Sequence, residues 1–169
     1  MIQVSHLSKR YGDLTAVDDL SFTFGDGHVY GLLGPNGAGK STTMNIMTGC
    51  LSPTEGTVRI GGFDILEEPR KAKRLLGYLP EQPPLYLGET PEEYLRFVGA
   101  AKGLRGAELR RQVEDAVERT GLPPVRHQLI GTLSKGYRQR VGIAQALLGS
   151  PRVIILDEPT VGLDPAQVI

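Results

Sequence analysis

The segment Gly34-Pro35-Asn36-Gly37-Ala38-Gly39-Lys40-Ser41 contains the residue types that hold a chain of phosphates. It meets every fixed position of the pattern G-x-x-x-x-G-K-[ST]. The glycines let consecutive backbone N–H groups surround the phosphates, and a helix that begins here adds its positive dipole end. Lys40 would reach the β- and γ-phosphates, and the Ser41 hydroxyl would bind Mg²⁺. The segment predicts a nucleoside triphosphate site, the alternative being a glycine loop that only turns the chain.

Two adjacent carboxylates follow the β-branched segment Val153-Ile154-Ile155-Leu156. Such an unbroken apolar run is typical of a parallel strand that is covered on both faces. Asp157 would lie near the metal ion, and Glu158 would face a water molecule beyond the γ-phosphate. An apolar strand followed by Asp-Glu is common by itself. Together with the phosphate-binding segment, however, it indicates a nucleoside triphosphatase.

Three cations lie near the start of a predicted helix, within the segment Leu133-Ser134-Lys135-Gly136-Tyr137-Arg138-Gln139-Arg140. Lys135, Arg138 and Arg140 are placed where the helix dipole disfavours positive charge. An anion that docks at this helix end would explain all three. The alternative, that they are solvated surface charges, stays open on physical grounds.

These motifs, in this order, resemble the nucleotide-binding subunit of ATP-binding cassette (ABC) transporters over essentially all 169 residues. Residues 34–41 resemble the family's phosphate loop, and residues 153–158 resemble its second Walker strand. Residues 133–137 are similar to its Leu-Ser-Gly-Gly-Gln signature. Residues 161–164 are similar to the loop that follows, in which Asp164 would lie at a dimer contact. Residues 77–81 and the two replacements in the signature, Lys135 and Tyr137, resemble the ABC-2 exporter branch.

The resemblance implies the residues of the site, with ATP and Mg²⁺ as cofactors. Tyr11 would stack on adenine, although an aromatic side chain here could equally pack at a strand end. Glu81 stands where most of the family has a metal-contacting glutamine, and Gln82 is adjacent, so either could contact Mg²⁺. The implied ATP-binding residues are Tyr11, Val17, Gly34, Pro35, Asn36, Gly37, Ala38, Gly39, Lys40, Ser41 and Thr42. The catalytic residues would be Glu158 and Lys40, and the metal ligands would be Ser41, Asp157 and Glu81. The signature residues that face a partner's γ-phosphate would be Ser134, Lys135, Gly136 and Tyr137.

The partners implied by the resemblance are a second cassette, paired head to tail, and a separate transmembrane permease. The protein would then be cytoplasmic and peripheral on the inner face of the cell membrane. Two alternatives remain: a soluble ABC ATPase acting in translation or DNA maintenance, and a nucleotide-binding regulatory module that does not hydrolyse ATP. The family's γ-phosphate-sensing histidine would fall after Ile169, so we expect an incomplete core and no catalysis by these 169 residues alone.

The composition excludes several other classes of protein. Nineteen Lys and Arg residues balance nineteen Asp and Glu residues, which argues against a nucleic-acid partner. The single cysteine, Cys50, forms no intramolecular disulfide, and no Cys/His group has the spacing of metal ligands. No apolar run approaches the roughly 20 residues of a membrane helix, and the first residues do not resemble a signal peptide. These features predict a soluble protein of a reducing compartment.

The pattern of elements predicts an α/β fold: a phosphate-loop NTPase core with a mostly parallel sheet, an N-terminal antiparallel β subdomain and an inserted α-helical subdomain. Residues 28–33 are mostly apolar and predict a strand that runs into the phosphate loop. Thr90 and Glu93 predict a capping box at the start of a helix. We expect three parts: residues 1–82 with the antiparallel strands and phosphate loop, 83–134 as the helical subdomain, and 135–169 with the signature helix and second Walker strand. A further helical stripe comprises Leu109, Val113, Ala116 and Val117.

Overall fold

The computed structural model describes residues 1–159. The chain divides into two compact units, Met1–Leu76 and Gly77–Ile169. Asp164, which the resemblance assigns to a dimer contact, lies outside the described residues. The three-part division inferred from the sequence stays a prediction.

The first unit is built on a four-stranded antiparallel sheet of order β2-β1-β3-β4. Its strands are β1 (Ile2–Tyr11), β2 (Leu14–Phe24), β3 (Glu55–Ile60) and β4 (Phe63–Asp64). Two helices accompany the sheet, α1 (Lys40–Met47) and α2 (Pro69–Arg74). The sheet, α1 and the turn after β4 contribute the fully buried side chains Leu7, Ile46, Val58, Ile60 and Ile65. The predicted antiparallel β subdomain is therefore present.

Close approach of β1 and β3 depends on a glycine. Gly56 has a φ of +86°, and a Cβ at this position would lie 2.3 Å from the carbonyl oxygen of His6. His6 itself has a φ of +50° at an irregularity in the β1–β3 register. The two strands can pair across this irregularity only because residue 56 has no side chain.

The prediction of a strand at residues 28–33 is wrong. These residues form no strand, and the side chains of Val29 and Leu33 are 102% and 93% exposed. Tyr30 instead folds back on β2: its ring stacks on Phe24 at 4.3 Å between centroids, and its hydroxyl accepts a hydrogen bond from the Gly25 N–H at 2.9 Å. An apolar run becomes a strand only where another strand pairs with it, and none does among residues 1–159.

The second unit combines a two-stranded parallel sheet with helices. The strands are β5 (Leu76–Leu79) and β6 (Val153–Leu156), and the helices are α3 (Pro91–Ala101), α4 (Gly106–Arg119) and α5 (Lys135–Leu147). Short 3-10 turns lie at Pro123–Val125 and Ile130–Thr132. The helices pack around a core that includes Leu95, Val117, Leu122, Ile130 and Val141, all fully buried. The predicted helical insertion is therefore a packed bundle.

Two local predictions for the helices are confirmed. The Thr90 hydroxyl accepts from the Glu93 N–H at 3.3 Å, and the Glu93 carboxylate accepts from the Thr90 N–H at 2.9 Å, which is the predicted capping box. In α4 the residues Val113, Ala116 and Val117 are buried, as the apolar stripe requires. Within residues 1–159, no helix combines the length and apolar character needed to cross a bilayer.

The expectation for β6 is only partly correct. The segment is a strand, but of its four residues only Ile155 is buried, and the Ile154 side chain is 43% exposed. In the described part of the chain, β6 has one neighbouring strand, β5. Burial on both faces needs covering layers as well as apolar side chains, so the sequence pattern alone overestimated it.

Candidate nucleotide site

The phosphate-loop segment is an exposed turn that leads directly into α1. Residues 33–38 are exposed, and the Ala38 N–H donates to the Pro35 carbonyl at 3.2 Å. Gly37 and Gly39 have φ values of +81° and +79°, which residues with a Cβ rarely adopt. The helix begins at Lys40, so its unpaired N–H groups face the loop. Such an arrangement can receive an anion.

Gly39 anchors the loop on the sheet. A Cβ at residue 39 would lie 2.3 Å from the Ala16 carbonyl oxygen and 3.1 Å from Cγ2 of Val17. The loop therefore rests directly on β2, so closely that a side chain at residue 39 has no room. Val17 is 7% exposed and packs beneath the loop, so its predicted contact with adenine stays a prediction.

The Lys40 ammonium group lies within the curve of the loop. Its Nζ donates to the carbonyl oxygens of Gly34 at 2.7 Å and Pro35 at 2.8 Å. The charge is therefore placed among the loop residues that would surround the phosphates. A triphosphate that enters the loop would compete with these two carbonyls for the ammonium group.

The first turn of α1 carries three consecutive hydroxyl residues. Ser41 is exposed and Thr42 half-buried, and their predicted contacts with Mg²⁺ and ATP stay predictions. Thr43 is buried, and its hydroxyl and its N–H both bond to the Gly39 carbonyl at 2.8 Å. The sequence interpretation missed this contribution of Thr43, which fixes the end of the loop.

Tyr11 lies at the end of β1 with 48% of its surface exposed, as a platform for an aromatic base requires. The Nζ of Lys9 lies 5.1 Å from the centre of its ring and donates to the Ser52 carbonyl at 2.8 Å. A cation at this distance from an aromatic face is attracted by the ring's quadrupole. Lys9 was also missed, although residues two apart in a strand share a face.

In the second unit, two of the predicted metal ligands follow neighbouring strands. Glu81 comes two residues after β5, and Asp157 comes directly after β6. The Asp157 N–H donates to the Leu79 carbonyl at 2.9 Å, and its side chain is buried. The third predicted ligand, Ser41, belongs to the first unit.

The predicted metal ligands are hydroxyl and carboxylate side chains, whose oxygens Mg²⁺ accepts when it is bound together with a triphosphate. Among residues 1–159, no cluster of three or more His, Cys, Asp or Glu side chains could hold a metal ion. Mg²⁺ is usually bound by one or two carboxylates or hydroxyls, with phosphate oxygens and water completing its octahedron. As oxygen donors, Ser41, Asp157 and Glu81 match that chemistry; that they bind one ion together stays a prediction.

The residue predicted to be the general base, Glu158, has an exposed side chain and a backbone φ of +50°. A buried side chain on α5, that of Gln139, donates to the Glu158 carbonyl at 3.4 Å. This contact was not found from the sequence. A polar residue on the buried face of a helix was the only signal for it.

The signature segment begins α5. The Ser134 hydroxyl caps the helix by accepting from the Tyr137 N–H at 3.3 Å, while Lys135 is exposed and Gly136 half-buried. Tyr137 packs against the helical core. The residues assigned to a partner's γ-phosphate thus include one, Tyr137, that is held by its own unit.

The structure provides other partners for two of the three cations at this helix end. The Arg138 guanidinium donates to the carbonyls of Leu133 at 3.0 Å and Gly131 at 3.3 Å. The Arg140 guanidinium lies 5.5 Å from the centre of the Tyr137 ring. Neither arginine therefore needs a bound anion to explain its position, and neither is simply solvated.

Comparison with known proteins identifies the family. Residues 17–161 match the family model of the ABC transporter. The chain belongs to the ABC transporter family. It is an ATP-binding domain of that family, as its sequence motifs indicated.

Two curated relatives cover nearly all of the chain. The uncharacterized ABC transporter ATP-binding protein YxlF of Bacillus subtilis is 41% identical over 98% of this chain and 54% of its own length. The probable multidrug ABC transporter ATP-binding protein YbhF of Escherichia coli is 39% identical over 98% of this chain and 28% of its own length. The chain thus spans about half of YxlF and less of YbhF.

A solved structure confirms the fold class of this ABC domain. The ATP-binding cassette MJ0796, as a dimer in a post-hydrolysis state bound to ADP and Pi, superimposes with a TM-score of 0.89. The match is 28% identical and covers 99% of this chain and 78% of the cassette. The α/β phosphate-loop NTPase fold predicted from the sequence is therefore confirmed.

Proposed function

We propose that this ABC domain binds ATP and, within the complete protein, hydrolyses it to drive a transporter that exports its substrate. The observation that carries the proposal is the exposed glycine loop, seated on β2 through Gly39 and continuous with α1, with the Lys40 ammonium group inside it. Such a loop presents backbone N–H groups and one full positive charge to a chain of phosphates. The ADP and phosphate bound by the cassette MJ0796 support a nucleotide as ligand.

Adenine would stack on the exposed ring of Tyr11. The ring and the phosphate loop belong to the same unit, and Val17 of β2 packs directly beneath the loop. Stacking needs an open aromatic face, and Tyr11 is about half exposed. The purine base would therefore be held by the sheet, and the phosphates by the loop and helix.

Ser41, Asp157 and Glu81 would hold Mg²⁺, which when bound neutralises charge on the β- and γ-phosphate oxygens. Glu158 would accept a proton from the attacking water while the oxygen of that water forms a bond to the γ-phosphorus. The bond from that phosphorus to the bridging oxygen breaks, and ADP leaves with the electron pair. Lys40 would stabilise the charge that gathers on the transferring group.

A second copy of the domain is proposed as a partner, with Ser134, Lys135 and Gly136 placed near its nucleotide. The dimer formed by the cassette MJ0796 supports such pairing. A transmembrane permease in a separate chain is proposed as the other partner, which would place the protein at the inner membrane face. The multidrug transporter to which YbhF is assigned supports export as the direction.

The proposal is tested by ATP binding to the complete protein and its Lys40→Ala variant, measured by fluorescence titration. Loss of the only loop ammonium group should weaken binding at least tenfold, which corresponds to about 1.4 kcal/mol. Lys71→Ala is the matched control, because it removes an exposed lysine that pairs with Glu68 at 2.8 Å in the same unit. Equal affinity of the Lys40 variant and the native protein would contradict the proposed site.

A further inference from the structure

The side chain of Gln139 connects the signature helix to the backbone beside Glu158. Gln139 lies in α5, five residues after the capping residue Ser134, and is only 4% exposed. Its Nε2 group donates to the carbonyl oxygens of Glu158 at 3.4 Å and of Pro159 at 3.3 Å. A buried amide that finds acceptors on two consecutive residues specifies where those residues lie.

The backbone at Glu158 needs such support. Its φ of +50° lies in the left-handed region, which residues with a Cβ adopt rarely, and the residue before a proline is restricted further. A backbone of this kind persists only where its surroundings hold it. The bond from the Asp157 N–H to the Leu79 carbonyl fixes the preceding residue, and Gln139 fixes the carbonyl that follows.

We propose that Gln139 is a positioning residue for Glu158. By binding two successive carbonyls, its amide fixes the backbone of Glu158 and thereby the direction in which the side chain of Glu158 extends. Because Ser134 caps the helix that carries Gln139, the placement of the signature end also sets the geometry of the base. This inference rests on the proposed function, in which Glu158 takes the proton from water.

The same helix supplies a matched control. The Nε2 group of Gln145, a half-buried residue of α5, donates to the Tyr78 carbonyl at 2.6 Å. Gln145→Leu and Gln139→Leu each remove an amide that links α5 to a backbone carbonyl. Only Gln139 contacts Glu158, so a purely structural role would make the two variants behave alike.

The test is steady-state ATP hydrolysis by the complete protein, with kcat and KM measured separately. Gln139→Leu should lower kcat about tenfold. This is the effect expected when the transition state loses the stabilisation of about one hydrogen bond. Its KM should stay within about twofold of the native value, because no group that binds the nucleotide changes. Gln145→Leu should leave kcat within about twofold of the native value while lowering the melting temperature.

Unchanged kcat in Gln139→Leu, or equal losses in both variants, would overturn the inference. If Gln139→Leu does not fold, Gln139→Glu keeps the shape but loses both N–H donors and should show the same selective loss of kcat. Native kcat in that variant, or failure of both variants to fold, would also overturn it. Native turnover by Glu158→Gln would instead contradict the proposed function, so the two failures are distinguishable.

Discussion

Replacing Gly39 by Ala should separate the phosphate loop from β2. The new Cβ would lie 2.3 Å from the Ala16 carbonyl oxygen, closer than van der Waals contact allows, at a φ of +79°. The left-handed backbone alone costs about 1–2 kcal/mol for a residue with a Cβ. Relieving the contact adds about 1–3 kcal/mol, as in other overpacked sites. We therefore expect a loss of about 2–5 kcal/mol in the stability of the first unit.

Gly37→Ala is the control, because Gly37 has a similar φ of +81° but no atom within 4 Å of the position that the new methyl group would take. This variant should therefore lose only about 1–2 kcal/mol, the cost of the left-handed backbone without the steric contact. Urea unfolding, combined with hydrogen exchange of the β1 and β2 amides, measures the two losses in this unit. Equal losses in both variants would refute the contact between Gly39 and β2.

Two further predictions concern the second unit. Glu158→Gln should keep ATP binding but nearly stop turnover, because an amide is a poor proton acceptor. The variant should therefore accumulate as a nucleotide-bound dimer, which gel filtration detects. Native turnover would refute the assignment of Glu158 as the base. Burial raises the pKa of Glu92, but the guanidinium groups of Arg126 and Arg96 together outweigh this and hold that pKa below its usual value of 4.5. The resulting stability is present above pH 4.5 and lost as the pH falls through the lower, folded-state pKa. Arg126→Met should reduce this loss in melting curves recorded across the acidic range, while Arg96 retains part of it. An unaltered pH dependence would contradict the pairing of Glu92 with Arg126.

Local interactions explain which predictions from the sequence were correct. The capping box of Thr90 and Glu93 joins residues three apart, and the apolar stripe of α4 depends on helical periodicity alone. The left-handed turns at Gly37 and Gly39 and the start of α1 at Lys40 likewise depend on residues within eight consecutive positions. Such features need little information from the rest of the chain.

Contacts between distant residues decided the rest. The amide of Gln139 meets Glu158 nineteen residues away, and Lys9 meets the Ser52 carbonyl forty-three residues away. Arg138 shows that even nearby contacts depend on the folded backbone: its charge suggested a bound anion, but the turn before α5 presents the carbonyls of Leu133 and Gly131 to it.

The sequence by itself determined the family, the fold class, and the capping box and apolar stripe of the helices, because residue types and short spacings suffice for them. Tertiary structure alone decided that residues 28–33 form no strand and that Ile154 is exposed. An apolar segment has the same composition whether or not another strand or layer lies beside it. Its pairing and burial depend on that neighbour, and the local sequence pattern carries no information about the neighbour.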